Sequence, residues 1–306
     1  MAVAMLLGPG ACEAFGVVGG RTVSIAAAPW TVFVQANGQR CTGVIIDESQ
    51  ILTAGHCVKS RDGRSGNPLP TSDFTVEAGV SNFRHPLSSD HPQVRSVIAV
   101  SVMPGYIALS KETPSSYLPL VARDLAILTL SSRLDLRGAD ARAASIPTVD
   151  SHLSRGAERF VAAGFGVERP KGYYENGTLN EVLKSTLRSN CGTSQVLCVF
   201  QSTGPCFGDS GSGIVDVQSR PTVIGIASQV QPGCGPGLTF YVLLASRAAL
   251  RFVHGTMRSS YIDRISDGPA DTHTAIRPLP AIGIVCVLLG VLGVWRIRRA
   301  DERKRR

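Results

Sequence analysis

An all-β fold is predicted, on two observations. From Trp30 to Phe240 the chain is a series of short segments rich in Val, Ile, Phe and Thr, punctuated by clusters of Gly, Pro, Asn and Ser. No helical pattern of 10–15 residues alternates with them, which argues against a parallel α/β sheet. In order, the expected strands are Trp30–Ala36, Thr42–Asp47, Phe74–Gly79, Val94–Val102, Leu125–Leu130, Phe160–Gly164, Gly213–Val217, Thr222–Ala227 and Leu238–Leu244. A single helix is expected near Ala245–His254, where Leu250 and Val253 stand three apart on one face.

The 306 residues suffice for one large domain or two packed halves. At 43% hydrophobic and 18% charged, the composition is that of a folded protein. The net charge of +8 is not spread over it. Residues 296–306 carry seven basic and two acidic side chains and so account for +5 of it. The rest is nearly balanced and shows no basic stripe with interleaved aromatics, so nucleic acid is not an expected partner. Of eight cysteines, Cys12 and Cys286 lie in terminal segments. The six between them are an even number and fit three disulfides in an oxidising compartment. The other reading is free thiols or a metal site, but no C-x-x-C spacing is present, which argues against a zinc ribbon.

Residues 1–16 read as a leader, with a short apolar part and a small-x-small pattern at Ala14-Phe15-Gly16. Residues 257–277 are polar and read as a linker after a folded domain at 17–256. Residues 278–295 are eighteen in a row without a charge, followed at once by the basic tail 296–306. That length is at the low end for crossing a bilayer, and the basic flank places the tail in the cytoplasm. A single transmembrane helix is the expectation; a buried core helix would show polar positions on one face.

Three segments carry the chemistry: Thr53-Ala54-Gly55-His56-Cys57, Asp124-Leu125-Ala126-Ile127-Leu128, and Gly208-Asp209-Ser210-Gly211-Ser212-Gly213. Each alone is modest. A histidine before a cysteine is usually structural, an Asp before an apolar strand is usually a turn residue, and GDSG can arise in any glycine-rich loop. Together and in this order they resemble the chymotrypsin/trypsin family of serine proteases over roughly Val17–His254. The His…Asp…Ser order separates the chain from subtilisins and α/β-hydrolases.

The resemblance implies two packed six-stranded antiparallel barrels with a cleft between them. It implies that His56 is the base that takes a proton from the Ser210 hydroxyl, and that Asp124 fixes the imidazole tautomer. The N–H groups of Gly208 and Ser210 would form an oxyanion hole, where one donor is typically worth ~3 kcal/mol. No metal or organic cofactor is implied; the partners are protein or peptide substrates.

The family pattern pairs Cys41 with Cys57, Cys206 with Cys234, and Cys191 with Cys198. Val17-Val18-Gly19-Gly20 resembles the family's processed N-terminus, whose ammonium inserts beside Asp209. Here Gly16, not Arg or Lys, precedes it, so leader cleavage itself is expected to generate the active end. By the resemblance, counting from Ser210, Gly204 would form the base of the primary pocket. An Asp there would select Arg or Lys; glycine argues against that. Val230 and Gly237 would line the pocket walls, favouring small or medium apolar side chains. Ser228, Gln229 and Val230 would pair with the substrate backbone as an added strand. Ser212 and Gly213 replace the commoner Gly-Pro.

Asn176-Gly177-Thr178 fits a glycosylation sequon but is more often a turn. His85, His91 and His152 are scattered and read as surface residues. The segment Pro278-Leu279-Pro280-Ala281, the apolar run and the Arg-rich end resemble bacterial PEP-CTERM sorting signals in their PLPA variant, which implies an exosortase-like processing enzyme. The rival to an exported serine endopeptidase is a catalytically silent binding or adhesion module on the same fold.

Overall fold

The structure, a computed structural model, describes residues 17–59, 67–106, 118–148, 159–167, 177–184, 193–230, 234 and 237–266. Among these residues the regular elements are thirteen strands, two α-helices and three short 3-10 turns. The first half is a closed antiparallel barrel. Its strands are β2 (Thr31–Ala36), β3 (Gln39–Asp47), β4 (Gln50–Thr53), β5 (Phe74–Ala78), β6 (Gln93–Val102) and β7 (Ala126–Leu130), joined in the order β2-β3-β4-β7-β6-β5. Closure leaves no edge, and the interior is filled by β-branched and aliphatic side chains such as Val32, Val34, Ile51, Val76 and Leu128.

The second half departs from expectation. Among the described residues it is a seven-stranded antiparallel sheet, not a second closed barrel. The strands are β1 (Arg21–Thr22), β8 (Phe160–Gly164), β9 (Asn180–Lys184), β10 (Val196–Gln201), β11 (Gly213–Asp216), β12 (Thr222–Val230) and β13 (Gly237–Leu243), in the order β1-β9-β8-β11-β12-β13-β10. At one edge Thr22 pairs with Asn180 and Arg21 with Glu181, so the short N-terminal strand, and not β10, borders β9 among the described residues. An Arg21–Glu181 ion pair anchors it, with the glutamate buried.

Phe33 of β2 stacks on Phe83 with ring centroids 3.8 Å apart, and Phe165, just after β8, meets both edge-on at 6.0 Å. Aromatic contacts of this kind contribute roughly 0.5–1.5 kcal/mol each beyond their burial. They lock the barrel to the sheet, and the main core runs continuously through both halves.

All nine expected strands are found, Phe160–Gly164 with the same bounds and the other eight with shifted ends. β1, β4, β9 and β10 were not anticipated. β4 is four residues long, and β9 contains Asn, Glu and Lys, whose polarity hides a strand that buries Glu181 against Arg21. A short helix, α1 (Leu118–Val121), was also missed. The C-terminal helix α2 is longer than expected, Arg247–Ser266, and runs into the stretch read as linker. It begins where the Ser246 hydroxyl accepts the Ala249 N–H at 3.3 Å, and it buries Ala249, Leu250 and Val253. Residues 262–306 form a separate compact unit, of which only the end of α2 is described. Among the described residues no helix is long and apolar enough to cross a membrane; the leader 1–16, the segment 278–295 and the tail 296–306 lie outside them.

Candidate active site

Strand β4 ends at Thr53, and a single 3-10 turn, Gly55–Val58, follows. The turn carries His56, and a Cys41–Cys57 disulfide ties it to β3 with Cα atoms 6.2 Å apart. Asp124 sits in the tight turn between α1 and β7. Its side chain is 3% exposed, against 34% for His56. The carboxylate takes the His56 backbone N–H on Oδ1 at 2.7 Å and faces His56 Nδ1 from Oδ2 at 2.8 Å. A carboxylate can only accept, so the proton of a neutral His56 is assigned to Nδ1, which puts the ring's acceptor lone pair on Nε2.

Two further donors hold Asp124. The Ser228 hydroxyl reaches Oδ2 at 2.6 Å. The Tyr106 hydroxyl also bonds it; burial, then the Asp124 charge and that hydrogen bond, push this phenol far above its usual range, so it remains a donor.

Ser210 lies in a loop pressed against the barrel. Its carbonyl accepts the Thr42 N–H at 2.8 Å and packs 3.6 Å from Cys57 Sγ, a disulfide sulfur with no proton to give. Gly211 donates to the Ala227 carbonyl at 2.8 Å, and Ala227 returns a bond to Ser212 at 2.8 Å. Gly211 has φ +85°, and a Cβ there would stand 2.1 Å from Thr53 Oγ1, so only glycine lets the loop reach the strand that leads into His56. Among the described residues, neither the Gly208 N–H nor the Ser210 N–H finds an acceptor. Two donors therefore stay uncommitted next to the Ser210 hydroxyl.

Asp209 is fully buried. Its oxygens accept the Gly166 N–H at 2.8 Å and the Cys206 N–H at 2.9 Å. A Cβ on Gly166 would lie 2.5 Å from that carboxyl, so the close approach requires glycine. Val17 is buried, and Val18 bridges Gly204, whose N–H donates to the Val18 carbonyl at 3.0 Å. The start of the domain thus lies along the segment expected to floor the pocket.

Gln229 and Val230 are half-buried on β12, opposite Phe240 and Thr239. Val230 packs with Val18 and Val167 against Cys206 and Cys234, which are joined by a disulfide with Cα atoms 5.0 Å apart. Gly237, at φ +147°, pairs with Gln201. Cys198 is disulfide-bonded; Cys191, its expected partner, lies outside the described residues. Asn176 and His152 lie outside them as well. His85 and His91 are exposed, as expected of surface residues, and His91 Nδ1 also meets Asp140 Oδ2 at 2.5 Å. Among the described residues, one grouping has metal-ligand atoms close together, His56 with Cys41 and Cys57 within 4.8 Å, but its sulfurs are oxidised to a disulfide and offer no thiolate.

Sequence reasoning missed Tyr106 altogether and gave Ser228 only a substrate-binding role. A register irregularity between Ala227 and Gln229 turns the Ser228 side chain toward Asp124, and no sequence motif marks such a bulge. Ser228→Ala is expected to lower kcat/KM about ten-fold, the scale of one charge-assisted hydrogen bond. Steady-state kinetics check this; an unchanged kcat/KM would remove Ser228 from the site.

Fold and site together define a serine endopeptidase. The Trypsin family model matches residues 17–249, and the chain belongs to that family. Scolexin B of Heliothis virescens is 30% identical over 205 residues, covering 63% of this chain and 66% of that protein. Trypsin delta of Drosophila erecta is 26% identical over 231 residues, covering 71% and 79%. Tonin of Rattus norvegicus is 28% identical over 215 residues, covering 65% and 74%. Among solved structures, human heparin binding protein superposes with a TM-score of 0.59 at 21% identity, covering 83% of this chain and 98% of that one; the likeness is one of fold.

Proposed function

We propose that the protein hydrolyses peptide bonds through an acyl-enzyme on Ser210, with His56 as general base and acid and Asp124 as the group that orients and stabilises its imidazolium. The Gly208 and Ser210 N–H groups receive the developing oxyanion. The observation that carries this reading is the two-point contact of Asp124 with His56, which aims one ring nitrogen away from the carboxylate and leaves it able to accept a proton. Gly204 as pocket floor and Val230 and Gly237 as walls select small or medium apolar side chains, while Ser228, Gln229 and Val230 pair with substrate backbone. A fluorophosphonate and a peptide panel test both parts. Labelling at Ser210 and cleavage after apolar residues are expected; no labelling, or a strong preference for Arg, would refute the respective part.

The enzyme works outside the cytoplasm, a reading supported by disulfides that cytosolic reductants would not let persist. A third bond joins Cys191 to Cys198. The chain is held at the membrane by residues 278–295 until an exosortase-like transpeptidase trims the PLPA tail. Activation follows leader removal, when the Val17 ammonium pairs with Asp209. Mass spectrometry of the mature protein reads both ends: a start at Val17 and loss of the Arg-rich tail are expected. A start at Phe15 or upstream ends the first idea, and an intact tail ends the second.

A further inference from the structure

Lys59, three residues after His56 at the end of the same 3-10 turn, is 8% exposed. Lysine is almost never so buried without a charged partner. Among the described residues this ammonium has no carboxylate partner. It lies 3.4 Å from the Tyr106 carbonyl oxygen and 5.3 Å from the centroid of the Tyr106 ring. The hydroxyl of that ring bonds Asp124, and Asp124 holds His56 Nδ1 at 2.8 Å. A cation, a ring face, a phenol hydroxyl, a carboxylate and an imidazole therefore stand in series.

Resting on the triad reading above, we infer that Lys59 is a positioning residue that sets the acid limit of activity, its buried charge acting through Tyr106 and Asp124 to oppose the charging of His56. A desolvated cation over an aromatic face is held by the ring quadrupole. It draws density from the phenol and makes the hydroxyl a better donor to the carboxylate. In a poorly solvated setting its field also reaches the imidazole directly and disfavours a second positive charge. The other groups facing His56 and Asp124 do not do this. Ser228 and Tyr106 are neutral. Arg123, on the turn just before Asp124, is exposed and donates to the Pro104 carbonyl at 2.8 Å, so solvent screens it. Asp209, beside Ser210, is negative and bound by two backbone amides.

The test is the pH profile of kcat/KM for Lys59→Met, which keeps the apolar stem and removes the charge. Without the cation the imidazole charges more readily, so the acid midpoint is expected to move up by roughly half a pH unit. Lys59→Gln, which keeps a polar end for the Tyr106 carbonyl, gives the same shift, and Lys59→Arg restores the wild-type midpoint. In a Tyr106→Phe background the shift shrinks, because the hydroxyl link is gone. An unmoved midpoint in both neutral variants, whatever happens to the melting temperature, overturns the inference and leaves Lys59 a packing residue. Wild-type protein that resists fluorophosphonate labelling would overturn the triad reading itself, a result separate from the pH profile.

Discussion

Ser210→Ala is expected to lower kcat/KM by roughly 10⁵- to 10⁶-fold and to abolish fluorophosphonate labelling, with little change in the unfolding midpoint. The two halves of that expectation have different physical origins. The loss of rate follows from removing the hydroxyl proposed to form the acyl-enzyme. The neighbouring donors remain, and they alone give limited catalysis. The unchanged stability follows from the bonds that shape the loop, which are made by the backbone. Thr42 N–H binds the Ser210 carbonyl, Gly211 N–H binds Ala227, and Gly208 accepts from the Thr42 hydroxyl at 2.9 Å. Among the described residues the Ser210 hydroxyl makes no hydrogen bond that alanine would forfeit. Retained activity in the variant would assign the chemistry to another nucleophile; a large drop in melting temperature would show that the hydroxyl is structural.

How much of this was readable in advance depended on how locally each feature is encoded. Strands such as β2 and β7 advertise themselves because their apolar residues are contiguous and bounded by turn residues. β9 does not, because Glu181 becomes tolerable in the core only through Arg21, far away in sequence. The pairing of β1 with β9 is likewise a tertiary outcome, between segments about 160 residues apart. His56, Asp124 and Ser210 stand in short motifs whose residue types and order are unusual, so they could be picked out and the structure then places the first two in contact. Tyr106 and Lys59 stand in no motif. Their relevance comes from a turn between β6 and α1 folding over the Asp124 carboxylate, which no spacing reveals. The Ser228 side-chain bond to Asp124 was not anticipated, because its direction depends on a bulge.

Asp209→Asn is the contrasting case, expected to cost both stability and activity. The native carboxylate has two acceptor oxygens, and each takes one buried amide, from Gly166 and from Cys206. Asparagine supplies one oxygen and one NH2, so one buried N–H must face a donor. An unsatisfied buried group of this kind costs about 1–3 kcal/mol, a fall of several degrees in Tm for a domain of this size. The charge is lost as well, and with it the partner proposed for the Val17 ammonium. Since Asp209 directly precedes Ser210 and follows Gly208, releasing it loosens the backbone that holds both oxyanion donors. A fall in kcat/KM of about 10² or more, beyond what the lost stability explains, is therefore expected of mature protein beginning at Val17. The comparison that decides the point is with unprocessed protein still carrying residues 1–16, whose Val17 nitrogen is an amide and carries no charge. If the charge of Asp209 acts through the N-terminus, Asp209→Asn lowers activity far more in the mature form than in the unprocessed one. Equal losses in both would reduce Asp209 to a buried cap for two backbone amides and remove the activation step.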